Sequence, residues 1–234
     1  MAADDRLGLA VKRGIDVLGA AAGLAVLAPI LAGVAVAVAI AQGRPILFRQ
    51  TRPGRGGRPF TIYKFRTMRP TRPGEVAFMT DSQRVTRLGR FLRRTSMDEL
   101  PELWNVLTGD MSLVGPRPLL MEYLDEYTPD EARRHDMRPG ITGWAAVNGR
   151  HRIPFRDRLQ LDIWYVDHWS LWLDFKILAM TIDQVLRRRD VSTTESIELG
   201  FPLAAPGRPP AAGSEPGARV SPGHGADPAA RGRP

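Results

Sequence analysis

Two adjacent carboxylates, Asp98 and Glu99, lie in the run RTSMDELPELWNVLTGDMSLVGPRP, residues 94–118. They follow Thr95-Ser96 and precede an apolar rhythm of Leu100, Leu103, Trp104 and Leu107. That rhythm has the period of a helix, which places the acids in or near its first turn and its end at Gly109. Beyond it, Pro116 and Pro118 flank Arg117 and restrict the backbone that presents the guanidinium. The acid pair supports two readings. Ser96-x-x-Glu99 fits a capping box, and acids in a first turn suit the helix dipole, so both side chains could merely start a helix. Alternatively, Asp98 is a nucleophile beside a metal-binding Glu99, at a helix end whose open N–H groups favour phosphate. Pro101, which donates no N–H, weakly favours a specialised first turn.

The elements that must position these groups come from the rest of the chain. From Val17 to Ala41 no residue is charged, enough for a helix to cross a bilayer core of about 30 Å. The run is too long for a cleaved leader and lacks a clean small-x-small site. Lys12 and Arg13 precede it, and Arg44, Arg49, Arg52, Arg55 and Arg58 follow it, which favours keeping both ends on the cytoplasmic side. Pro29, near its middle, removes a backbone hydrogen bond and bends a helix. On these residues alone, a straight span and a bent, re-entrant hairpin stay open.

Strands are expected at Pro45–Phe48 and Phe60–Phe65, around an Arg/Gly-rich turn suited to solvent or to anionic headgroups. An amphipathic basic helix follows from Arg84 to Arg94, and helices at Leu119–Tyr127 and Pro129–His135. A Pro/Gly-shaped loop spans Arg138–Gly143, and a short strand Trp144–Val147 runs into an Asn148-Gly149 turn before Arg150. Helices are expected again at Arg156–Trp169 and Asp174–Arg189, with Trp164, Tyr165, Trp169 and Trp172 suited to packing or to an interfacial belt. His135 lacks metal-ligand spacing. From residue 201 the Pro, Gly, Ala and Ser composition cannot bury enough apolar surface to fold.

The balance of 33 basic against 25 acidic residues, net charge +8, points to anionic partners. No nucleic-acid-binding signature accompanies it, so nucleic acid is not expected as a partner. The absence of cysteine excludes disulfides and thiolate metal sites.

Several motifs in one order carry a resemblance. They are Lys12-Arg13-x-x-Asp16, Tyr63-Lys64-Phe65-Arg66-Thr67-Met68, Asp98-Glu99-Leu100, Gly115-Pro116-Arg117-Pro118 and Arg138-Pro139-Gly140-Ile141-Thr142-Gly143-Trp144. Together they closely resemble the bacterial sugar transferases, the monotopic phosphoglycosyl transferases, over roughly Lys12 to Glu195. The resemblance implies an α+β enzyme on the cytoplasmic face of the bacterial inner membrane. It moves a phosphosugar from a UDP-sugar to polyprenyl phosphate, giving polyprenyl-diphosphate sugar and UMP, as the first membrane step of glycan assembly. It further implies residues 1–43 as a re-entrant helix-break-helix, with Lys12, Arg13, Asp16 and Pro29 in the membrane anchor. Residues 44–200 form the catalytic domain, and 201–234 a disordered tail. Asp98 is the implied nucleophile, forming an aspartyl phosphosugar. Asp98 and Glu99 are the catalytic and metal-binding acids, and Lys64, Arg117, Arg138 and Arg150 the substrate-binding cations. Two phosphate substrates repel each other, and Mg²⁺ suits the carboxylates, since it prefers oxygen ligands and bridges phosphates.

Two positions depart from the family pattern: Ala28 stands where Ser commonly precedes the proline, and Ala146 where Gln is common. Two rivals remain, a membrane-anchored basic scaffold and a membrane phosphatase with an Asp nucleophile. The scaffold gives no reason for Asp98-Glu99 beside a proline-locked arginine.

Overall fold

The computed structural model describes residues 3–71, 81–149 and 153–187. Arg150, the end of the Asp174–Arg189 helix and the 201–234 tail lie outside the described residues. The fold is α+β: helices around two small sheets.

Helix α1, Ala3–Gln42, carries Pro29 inside it without being divided into two helices. Where the sequence suggests helix-break-helix, the described chain is one helix, about 60 Å long at 1.5 Å per residue. It is long and apolar enough to cross a membrane by length and composition. One face packs on the rest of the protein: Ala20, Val34 and Val38 are buried, and Leu24, Leu27 and Leu31 pack beside them. The other face leaves Leu18, Val26 and Ile40 exposed.

Polar bonds fasten α1 at both ends. Lys12 Nζ donates to Val114 O at 3.0 Å and pairs with Asp174 Oδ2 at 2.6 Å. Asp16 Oδ1 accepts from Ser112 Oγ and from Leu113 N, each at 3.0 Å. At the far end, Arg66 donates to the Gln42 and Gly43 carbonyls, and Gln42 Nε2 returns a bond to Arg66 O at 3.0 Å. Arg66 therefore closes the C-terminus of α1. Such buried ionic bonds fix position more than they stabilise, yet removing one partner costs about 3–5 kcal/mol.

Strands β1, Leu47–Pro53, and β2, Pro59–Phe65, form an antiparallel hairpin in which Leu47 pairs with Phe65 and Pro53 with Pro59. The first strand thus begins later and runs further than the hydropathy pattern suggests. The basic helix expected from Arg84 to Arg94 divides into α2, Asp81–Arg84, and α3, Arg87–Arg94. Val85 leaves the helix to bridge Met68, and Thr86 caps α3 by accepting from Gly89 N at 2.9 Å.

A 3₁₀ turn, Met97–Glu99, precedes α4, Glu102–Thr108, which ends at Gly109 in the left-handed region, φ +98. The acids are therefore not in the first turn of α4 but on a separate tighter turn. Bonds from Leu103 N to Leu100 O and from Trp104 N to Pro101 O continue the three-residue spacing across Pro101. Strand β3, Ser112–Val114, is parallel to β4, Gly140–Thr142.

Between β3 and β4 the chain forms a 3₁₀ stretch at Met121–Glu126, α5 at Pro129–Ala132 and another 3₁₀ turn at Arg133–Asp136. The helix expected over Leu119–Tyr127 is thus a shorter 3₁₀ segment. Trp144–Val147 is one helical turn, α6, not a strand; the strand lies just before it, where Gly140 allows close pairing with β3. Helices α7, Phe155–Asp167, and α8, Leu171–Arg187, complete the described chain.

Each sheet joins a separate part of the core. Ile62 of β2 packs with Ala20, Leu103, Val106 and Met111, and Val114 of β3 packs with Tyr165, Leu173 and Ile177. A fully buried side chain such as Val106 contributes roughly 2 kcal/mol. Tyr165 is in the core, with its hydroxyl on Asp174 Oδ1 at 2.6 Å, whereas Trp172 is 77% exposed. The aromatic cluster therefore divides between packing and surface.

Candidate active site

The acid pair begins at a backbone irregularity. Ser96 has φ +54, a left-handed conformation uncommon outside glycine, and its side chain makes no capping bond. The Ser96–Glu99 capping box is not formed. A capping box does form from Thr128 and Glu131, at the start of α5. Glu99 is instead held by two cations: its Oε1 accepts from Lys64 Nζ at 2.9 Å and from Arg117 Nη2 at 2.7 Å. Residues 35 and 18 positions away in sequence thus meet on one oxygen.

A third carboxylate joins them. Glu102, 2% exposed, places Oε1 at ion-pair distance, 3.2 Å, from Lys64 Nζ, without an aligned hydrogen bond. Sequence reading passed over Glu102 because it falls within an apolar rhythm as a polar residue suited to solvent. Asn105, fully buried, was also passed over. Its Nδ2 donates to Thr61 O at 2.7 Å, and its Oδ1 accepts from Tyr63 N at 3.1 Å. That amide ties β2 to α4, which sets Lys64 against the acids.

Arg117 is positioned from behind. Its carbonyl accepts from Arg134 Nη2 at 2.7 Å, and buried Arg134 pairs with Asp162 of α7 at 2.5 Å. Gly115 N donates to Thr142 O, and Gly140 N to Pro116 O, so the Gly115–Pro118 and Arg138–Trp144 motifs form one unit. A Cβ on Gly140 would lie 2.1 Å from Gly115 N, and one on Gly143 2.2 Å from Gly115 O. Only glycine permits that approach.

Electrostatics separates the three acids. Burial first, and the Glu99 charge second, raise Asp98 to about 6 against the pull of Lys64 and Arg93. Burial also works against ionised Glu99, but the Arg117 and Lys64 charges outweigh it and hold Glu99 well below the usual carboxylate range. Burial lifts Glu102 to about 7, the Lys64 charge opposing and the Glu99 charge adding. Arg93 of α3 is thus also close enough to act on Asp98.

These shifts carry a sign for stability. Glu102 is raised in the fold, so the folded state binds more protons and stability falls as pH rises from about 4.5 toward about 7. The melting temperature of metal-free protein should decline across that window, and Glu102→Gln should flatten the decline. An unchanged slope would mean that Glu102 does not titrate there.

The remaining sequence candidates lie elsewhere. Arg138 Nε donates to Gly109 O at 2.9 Å, at the end of α4 remote from Glu102, about 10 Å along the helix. The structure does not bring Arg138 to Asp98 and Glu99. Lys12 and Asp16, on α1, are buried against β3 and α8, and Arg13 bonds the Val106 and Leu107 carbonyls.

Among the described residues no three His, Asp or Glu side chains gather to hold a metal by themselves. Asp98 and Glu99 fit a more open ligand set. Both of Glu99's contacts fall on Oε1, and Mg²⁺ typically takes one or two carboxylates, phosphate oxygens and water.

The family described as "Bacterial sugar transferase" matches residues 7–188. An uncharacterized sugar transferase, EpsL, of Bacillus subtilis is 52% identical over 155 residues, covering 66% of this chain and 77% of that protein. A UDP-glucose:undecaprenyl-phosphate glucose-1-phosphate transferase of Caulobacter vibrioides is 46% identical over 185 residues, 75% of this chain and 69% of that protein. The transferase of the same description from Escherichia coli is 40% identical over 182 residues, but this chain covers only 39% of its length.

Proposed function

The chain belongs to the bacterial sugar transferases, and we propose that it transfers a phosphosugar from a UDP-sugar to undecaprenyl phosphate. The products are UMP and the polyprenyl-diphosphate sugar, the starting point of a membrane-assembled glycan. The observation that carries this reading is the acid pair, buried Asp98 beside half-buried Glu99, with Glu99 gripped by Lys64 and Arg117. A basic scaffold has no use for that arrangement. Relatives named as UDP-sugar:undecaprenyl-phosphate transferases support the same chemistry.

In this mechanism Asp98, ionised, attacks the phosphorus bonded to the sugar. The bond from that phosphorus to the UMP oxygen breaks, and UMP leaves with the electron pair. An oxygen of the polyprenyl phosphate then attacks the phosphorus of the aspartyl phosphosugar, and the Asp98 carboxylate departs. Two in-line displacements let a soluble and a lipid substrate use one site in turn. Lys64 and Arg117, already assembled around an anionic oxygen, neutralise phosphate oxygens without reorganising. Asp98 and Glu99 would hold Mg²⁺, which would supply further positive charge against the developing negative charge on phosphate oxygens.

The active site belongs on the cytoplasmic face of the inner membrane, with both ends of α1 on that face. Support comes from the tethers at both ends of α1, Lys12 to Asp174 and Gln42 to Arg66, which hold both ends to one body. A single cysteine replacing Ala3 should stay protected from an impermeant thiol reagent added to intact cells. Labelling there, with a cysteine in the catalytic domain protected, would mean that α1 spans.

Product analysis tests the activity. UMP release that turns over only with polyprenyl phosphate supports transfer, free sugar phosphate supports hydrolysis, and neither product supports a scaffold.

A further inference from the structure

Three arginines from separate motifs meet at the end of α4 opposite the reaction carboxylates. Arg13 comes from α1, Arg55 from the hairpin turn and Arg138 from the loop before β4. Arg13 bonds the Val106 and Leu107 carbonyls at 2.6 and 2.9 Å, Arg138 Nε bonds Gly109 O, and Arg55 Nε bonds Asp136 O at 3.0 Å. None of the three has an ion pair among the described residues.

Capping explains part of this. The C-terminal end of a helix carries partial negative charge and attracts cations. It does not explain why three charges share the place. Each guanidinium carries five N–H donors, and carbonyls take only two from Arg13 and one each from Arg55 and Arg138. Burial, and then the charges of Arg13 and Arg55, hold Arg138 below its ordinary value, so both neighbours repel Arg138. Asp16 is the one carboxylate acting in the opposite direction on Arg138, and its Oδ1 already serves Ser112 and Leu113. Arg55 is exposed and the other two are half-buried, so the cluster is open to a ligand.

We propose that Arg13, Arg55 and Arg138 form a second anion site, separate from the reaction site, which binds a phosphate group. Guanidinium forks match phosphate oxygens in pairs, and an anion here relieves the mutual repulsion. A membrane phospholipid headgroup is one source of that phosphate. Arg13 lies four residues before the uncharged Val17–Ala41 run, at headgroup depth if that run is inserted. Soluble phosphate is the other source. The lipid source rests on the membrane reading of α1; the phosphate chemistry does not.

Calorimetric titration of the full chain in an uncharged detergent distinguishes the sources. The probes are dihexanoyl phosphatidylglycerol, dihexanoyl phosphatidylcholine and inorganic phosphate. Saturable binding of the glycerol lipid, with weaker binding of the choline lipid and of phosphate, assigns the headgroup. Phosphate binding as tightly as the glycerol lipid assigns soluble phosphate. In either case Arg55→Ala should weaken binding at least fivefold and Arg55→Lys by less than Arg55→Ala does, with UMP release unchanged in both. Arg138→Lys, which keeps the charge and can still bond Gly109 O, should also bind. Lys64→Ala should leave this binding intact, so failure of the catalytic reading would not imitate failure here. Equal binding by wild type and Arg55→Ala, or no preference for the glycerol lipid or phosphate over the choline lipid, overturns the proposal.

Discussion

Asp98→Asn should lower phosphosugar transfer by roughly a thousandfold or more while leaving the protein folded with an equal or higher melting temperature. The two effects have one cause. Asp98 is buried beside a Glu99 that stays ionised, and both conditions disfavour its own charge. The amide keeps the shape and removes the charge, which relieves the fold and removes the nucleophile. A residue that only started a helix would behave in the opposite way: its loss would lower stability, and activity would follow stability down. Transfer rate and thermal melting measured on the same preparation separate these outcomes. Activity within tenfold of wild type would remove Asp98 from the chemistry.

The second large effect is expected at a residue with no side chain. Gly140→Ala places a methyl group 2.1 Å from Gly115 N, 2.4 Å from Thr142 O and 2.7 Å from the Val114 carbonyl carbon. All three are backbone atoms, so no rotamer change makes room, and β3 and β4 must separate. Overpacking of this kind costs about 3 kcal/mol, roughly a 10 °C loss in melting temperature for a chain of this size. Activity should fall further than stability alone accounts for. The bond from Gly140 N to Pro116 O holds the loop that presents Arg117, and that guanidinium reaches Glu99 at 2.7 Å. Thermal melting and transfer below the melting temperature would check this. A folded, fully active Gly140→Ala protein would show that the paired loops are not needed to place Arg117.

Much of the site was legible because its chemistry is local. Asp98 and Glu99 are adjacent, and the prolines around Arg117 mark a presented side chain. Lys64 was available only through the motif resemblance, because nothing local to β2 indicates that its ammonium meets acids on α4 and the turn before it. Hydropathy misleads on α4. Trp104 counts toward the apolar rhythm yet is 53% exposed, whereas the acidic Glu102, outside that rhythm, is 2% exposed. A carboxylate can be buried when a cation is buried with it, and no periodicity carries that information.

The strands β3 and β4 were missed because three residues are too few to show an alternating pattern, and their pairing depends on glycine at the contact. Arg138 was grouped with the substrate cations by its motif, while its bond to Gly109 places it at the opposite end of α4. The long apolar run was recognised as membrane-competent from composition. Its tethering depends on partners outside the run: Asp174 for Lys12, 162 residues away, and Arg66 for Gln42, 24 residues away.

Covalent transfer through Asp98 is tested most directly by weighing the intact protein. Purified enzyme would be incubated with its UDP-sugar and Mg²⁺ in the absence of polyprenyl phosphate, then measured by mass spectrometry and mapped by peptide. The account predicts at most about one UMP released per enzyme, a mass gain of one phosphosugar, and an adduct on Asp98 that disappears when polyprenyl phosphate is added. Direct attack by the lipid phosphate, with both acids acting only as ligands, predicts neither the UMP burst nor the adduct. An unmodified Asp98 in an enzyme that turns over normally once the lipid is supplied would contradict the covalent mechanism.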